Sequence, residues 1–122
     1  MRLSEAIRLG ALLRAQGRGA YLDDHHHTCT LGAALEAIGR LERAEHVIVP
    51  WGELWPWLCL VPACRCPADC GTVIIGLIHL IAHVNDDHCW TRERIADWVT
   101  TIEAEYDREA AAVSASLAVS AS

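Results

Sequence analysis

Lysine and phenylalanine are both absent from the 122 residues, so arginine alone supplies ten positive charges against sixteen carboxylates, a net charge of −6. The two absences match the codon usage of a GC-rich coding sequence and assign no function. The placing of the arginines says more. From 66 to 91 there is no arginine, while Asp69, Asp86 and Asp87 fall in that interval. A phosphate backbone lying against this segment would find no counter-charge, which argues against its reading nucleic acid. Also lacking is any run of about 18 apolar residues, the length a membrane helix needs. The nearest stretch, 73–84, is interrupted by His79 and His83. In residues 1–20, Glu5, Arg8, Arg14 and Arg18 occupy what would have to be the apolar centre of a secretory signal. The expected compartment is therefore the cytoplasm, where the six cysteines are reduced and open to metal. An apolar content of 52% is ample for one core in a chain of this length.

What is present is a ligand spacing. Cys66, Cys70, His83 and His88 spell C-x3-C-x12-H-x4-H, within the range of a zinc finger of two cysteines and two histidines. Two thiolates and two imidazoles fill a tetrahedral zinc and leave no open position, so the expected role is structural, with one zinc per chain. The loop inside the spacing has the two apolar side chains such a unit folds around, Ile74 four residues after Cys70 and Leu80 three before His83. Residues 66–70 predict a turn, 71–75 a short extended piece and 77–84 a helix. His88 stands about 140° round an ideal helix from His83, so the helix must distort or stop between them. Asn85, Asp86 and Asp87, weak helix formers, suit a stop.

Other donors compete for the four places. Cys64 and Cys89 flank the set, and His79 with His83 forms an i, i+4 pair that faces one way without distortion. Taken alone, His79 fits better as a core histidine satisfied by a hydrogen bond. His25, His26 and His27 with Cys29 suggest a second site, against the simpler view that they form a solvated loop.

The stretch HVNDDHCWTRERIADWV, 83–99, resembles a family of small uncharacterised bacterial and phage-encoded proteins carrying HLND-x-H-x-W-[ST]-R-E-x-I-A-x-W after a cysteine pair. LSEAIRLGA and TCTLGAALEAIG are similar to the start of those proteins, so the likeness spans most of 3–105. It implies His83 and His88 as ligands together with the preceding cysteines, and it implies no activity. The x3 spacing and the extra Cys64 depart from the tighter C-x2-C usual there.

The rest of the chain predicts helices. Leu3, Ile7, Ala11 and Leu13 give a first amphipathic helix, capped by Ser4 and ended by Gly17 and Gly19. Thr30 can cap a second over 31–43, with Leu31, Ala34, Leu35, Ile38 and Leu41 buried and small residues allowing close packing. Trp51, Trp55 and Trp57 surround Pro56, which permits only a short, irregular helix there. They fill the core beside the finger or, as the sharper alternative, anchor a partner. A last helix begins after Thr91 and carries Ile95, Trp98, Val99 and Ile102. From 109 the Ala/Ser-rich tail has too little bulk to demand burial and is expected to be flexible.

The expected fold is a mainly α, single zinc-stabilised domain over 1–108 with a finger-like turn–helix unit at 62–90. Its expected role is a non-enzymatic module for protein interaction or regulation, through a protein partner or self-association. One alternative is a nucleic-acid-binding regulator using Arg2, Arg8, Arg14 and Arg18. Another is a zinc hydrolase in which His79 and His83 leave a site for water and Asp86 or Asp87 serves as base.

Overall fold

Leu3, Ala6, Ile7 and Gly10 fall on one side of a 3.6-residue repeat, and they are the face that α1 (Leu3–Ala11) buries. They belong to a computed structural model that describes residues 1–45, 48–61, 64–71, 73–74 and 76–121, with backbone only at 45, 59, 60, 64, 120 and 121. The chain is mainly α-helical. Against α1 lies α2 (Thr30–Ala37). The two approach so closely that a Cβ on Gly10 would stand 1.8 Å from the Ala33 carbonyl oxygen.

Both helices depart from their expected ends, and the causes are distant in sequence. Ser4 does not cap α1. The preceding Arg2 is the N-cap, without a side-chain bond, and the Ser4 hydroxyl sits inside the helix donating to the buried Glu103 carboxylate. At the other end α1 stops at Ala11. The buried Arg92 guanidinium donates to the carbonyls of Ala11 (3.3 Å) and Arg14 (2.6 Å), and to the Thr28 hydroxyl (2.9 Å). This places a cation where the helix dipole is negative and ties down Arg14 outside the helix. Cys29 takes the cap expected of Thr30, its Sγ accepting from the Gly32 N–H at 3.4 Å. Gly39, at φ 72°, then breaks the predicted 31–43 helix, and a 3-10 turn (Leu41–Glu45) returns Leu41 to the core.

As Pro56 requires, the tryptophan segment is irregular: α3 (Trp51–Leu54), then a 3-10 turn (Pro56–Leu60). Trp55 is only 5% exposed, and its Nε1–H donates to the Met1 carbonyl at 3.0 Å. It is a core residue and no anchor for a partner.

The finger unit has more than a turn and a helix. Strands β1 (Cys64–Arg65) and β2 (Val73–Ile74) pair antiparallel, Cys64 opposite Ile74 and Arg65 opposite Val73, before α4 (Leu77–Asp86). Strands this short leave no alternation for a sequence to show. Leu80 and Ile81 are both 0% exposed and Ile74 is half-buried. The apolar face of α4 is thus covered by α2 and α5 of the same chain.

Helix α5 (Arg92–Ala121) starts where expected, with Thr91 Oγ1 accepting from the Arg94 N–H at 3.2 Å. Ile95, Ala96 and Val99 are buried, and Ile102 and Trp98 are half-buried. The Ala/Ser-rich stretch 109–121 is helical and exposed where its side chains are described. No helix among the described residues is long and apolar enough to cross a membrane.

Candidate metal centre

Two tight turns bring the donors of the finger unit together. Between Cys66 and Cys70 the Asp69 N–H donates to the Cys66 carbonyl at 3.2 Å, and Asp69 (φ 57°) and Gly71 (φ 81°) are both left-handed. The second cysteine is thereby folded back toward the first. At the far end, α4 carries His83 and stops at Asp86, with the Asp87 N–H donating to the His83 carbonyl at 2.8 Å. Cys89 is left-handed (φ 55°), and the Trp90 N–H reaches back to the Val84 carbonyl at 3.3 Å. The helix thus ends between the two histidines, and their ring centroids lie 4.8 Å apart where an ideal helix would set them about 140° apart.

The result is one cluster. A sulfur or ring nitrogen from each of Cys66, Cys70, His83 and His88 lies within 4.8 Å of every other. His83 Nε2 is 3.1 Å from His88 Nε2 and 3.6 Å from Cys70 Sγ, with the two imidazoles at 83° to each other. For a tetrahedral zinc with its usual bond lengths, the N–N edge is about 3.3 Å and the S–N edge about 3.6 Å. These four residues are close enough to hold a metal ion, and the two edges just given match a four-coordinate site. Cys66 is buried and Cys70 exposed, so the centre sits at the surface with one thiol against the core.

The His83 ring is oriented from behind. Its Nδ1–H donates to Asp87 Oδ2 at 2.8 Å, which leaves the Nε2 lone pair directed at the cluster. The imidazole is held above its ordinary pKa, first by Cys70 and then by Asp87, against the opposing effect of burial. A metal ion at the centre takes the place of that proton. Sequence reasoning gave Asp87 only the part of helix terminator or base; its i, i+4 distance from His83 was the available signal.

Asn85 was also read only as a helix stop. It is buried, and its Oδ1 accepts from the Thr30 N–H (3.0 Å), the Thr30 hydroxyl (2.8 Å) and Gln16 Nε2 (2.9 Å). Its Nδ2 donates to the Gly17 carbonyl and to Asp86 Oδ1. The segment between the two candidate histidines is thus tied to the N-terminal loop and to the start of α2.

The remaining candidates lie elsewhere. His79 is exposed, so it is no core histidine, and it stands outside the cluster. Cys89 is exposed, and the side chain of Cys64 lies outside the described residues. Cys29 is used as a helix cap, and burial pushes its thiol pKa up. His25 and His27 have ring centroids 6.0 Å apart in a loop ordered by Asp23 Oδ1, which accepts both their N–H groups at 2.9 Å. Among the described residues they join no cluster of three ligand atoms.

Of the four arginines of the nucleic-acid alternative, three are paired with carboxylates. Arg2 pairs with Asp107 at 2.6 Å, Arg8 with Asp97 at 3.0 Å and Arg14 with Glu36 at 2.8 Å. Arg14 and Arg18 also lie beyond the end of α1.

Compared with family models, with curated proteins and with solved structures, the chain finds no match in any of the three.

Proposed function

We propose that this protein is a non-enzymatic, zinc-stabilised module that acts by binding another protein chain, with Cys66, Cys70, His83 and His88 as the ligands of one structural zinc. The observation that carries this reading is the convergence of those four donors within 4.8 Å, with the His83–His88 and Cys70–His83 separations at tetrahedral edge lengths. Four protein ligands leave no coordination position for water or substrate. The hydrolase alternative finds less support, since His79 stands outside the cluster, Asp87 is committed to His83 and Asp86 Oδ1 accepts from the Gly19 N–H. The paired arginines likewise favour a protein partner over nucleic acid. In this reading the contact surface is the outer part of α5, where Val113 and Leu117 are 59% and 66% exposed, and not Trp55 or Ile81.

Metal analysis of the purified chain is expected to give one zinc per chain. Stripping it with a chelator should lower the melting temperature by roughly 10 °C or more, because metal binding and folding are linked. Cys70→Ser and His83→Ala should each lose tight zinc binding, whereas His79→Ala keeps it. Metal-free protein with unchanged melting overturns the zinc reading, and loss of zinc in His79→Ala overturns the ligand assignment.

A further inference from the structure

On the other flank of α4 the chain leaves a cavity of about 1020 Å³, bounded by the 19–22 and 29–31 segments, the tryptophan segment and α4 itself. This is the upper end of the range of roughly 300–1,000 Å³ that holds small organic ligands. Its floor is apolar and buried, formed by Leu31, Leu58 and Leu77. Tyr21 and Trp51 form an aromatic wall, their rings edge to face with centroids 6.1 Å apart.

Among the described residues that line it, Asp86 is the one formally charged side chain and no arginine is present, so an anionic ligand would have only the His79 imidazole to pair with. At one end lies the half-buried Asp86. Its Oδ1 accepts from the Gly19 N–H at 3.0 Å and from Asn85 Nδ2 at 2.8 Å, both neutral donors. Those bonds fix the carboxylate without matching its charge, and among the described residues it belongs to no ion pair. A held, uncompensated carboxylate at the end of an apolar and aromatic chamber selects a ligand with a cation at one end and hydrocarbon at the other.

We propose that this cavity binds a small aromatic amine, its ammonium paired with Asp86 and its ring against Tyr21, Trp51 and Leu77. The inference does not rest on the zinc reading, and its test uses the chain in whatever metal state it is purified.

The probes are tryptamine and indole-3-propionate, which share the ring and the two-carbon arm and differ in the sign of the end group. Each is titrated into isotope-labelled protein and followed by amide and indole NMR signals. Tryptamine is expected to shift the Gly19 and Ala82 amides and the Trp51 indole N–H, and to bind at least about tenfold more tightly than the acid. Asp86→Asn keeps an acceptor for Gly19 and should abolish that preference. Ala82→Trp places bulk in the cavity and should abolish tryptamine binding while the amide spectrum stays dispersed, so the proposal remains testable if Asp86→Asn fails to fold. Absence of shifts at millimolar tryptamine, equal affinity for amine and acid, or binding that survives Ala82→Trp overturns it.

Discussion

At the scale of single residues, the block 83–99 shows how many separate demands one short segment meets. His83 and His88 supply ring nitrogens to the candidate centre, Asn85 joins α4 to α2, Thr91 caps α5 and Arg92 terminates α1. Arg94 lies over the Trp90 ring at 3.8 Å, a cation–π contact that covers the indole. Asp87 is the most separable of these. Its side chain is largely exposed and its one described bond is to His83 Nδ1, so its removal should hardly touch the core. What it should change is how well His83 is held for the metal. Asp87→Ala is expected to weaken zinc affinity by about 10- to 100-fold, as measured by chelator competition, and by linkage to take about 1.4–2.7 kcal/mol from the zinc-bound fold at fixed zinc. Asp87→Asn, which keeps an acceptor oxygen, should recover part of the affinity. Unchanged affinity in Asp87→Ala would mean that the carboxylate is a solvated neighbour and does not position the ring.

At the scale of elements, the crossing of α1 and α2 is decided by one missing side chain. Gly10 lies so near the Ala33 backbone that a methyl group cannot be accommodated by a rotamer change; the helices themselves must separate. Gly10→Ala improves helix propensity by about 1 kcal/mol, yet it is expected to destabilise the chain by a net 2 kcal/mol or so, because the clash is with backbone. Thermal or denaturant unfolding checks the sign, and a stabilised Gly10→Ala would show that the crossing is looser than described. This contact was only half legible in the sequence: the small residues of α2 announced a close neighbour, but nothing marked Gly10 as the point of approach. The same division runs through the fold. The Cys66–His88 spacing, the start of α5 and the irregular tryptophan segment were readable because each depends on residues near one another in the chain. The ends of α1 and the cavity beside α4 were not, since Arg92, Glu103 and the 19–22 loop act on residues far away in sequence. The hairpin of β1 and β2 escaped for a different reason, too few residues to carry a period.

At the scale of the whole molecule, bulky apolar groups are left exposed around the end of α1 (Leu9, Leu12, Leu13), at Met1, Ile48 and Val73, and along the outer part of α5. Helix α5 has 30 residues, about 45 Å of helix, while the bonds tying it to α1 end at Asp107. Beyond that point roughly 20 Å of helix projects, with Arg108 and Glu109 at its base and no charged residue from 110 to 121. Val113 and Leu117, at i and i+4, share a side of it, and Ala110 continues that side toward Tyr106. An uncharged helical face of this kind is poorly suited to water and well suited to another helix, and its near-neutral surface sets no electrostatic barrier to a second copy of itself. Two such segments side by side bury less than the roughly 1,200 Å² of a stable interface, so the association is expected to be weak, with a dissociation constant in about the micromolar range. A chain cut after Arg108 tests this. It should keep its zinc content and melt within about 2 °C of the full chain, since the described side chains beyond Asp107 are all exposed, while sedimentation shows the concentration-dependent dimer of the full chain to be gone. Leu117→Glu should act in the same way without shortening the helix. If the full chain sediments as a monomer at several hundred micromolar, far above that dissociation constant, self-association is excluded and the exposed end of α5 must serve a different protein.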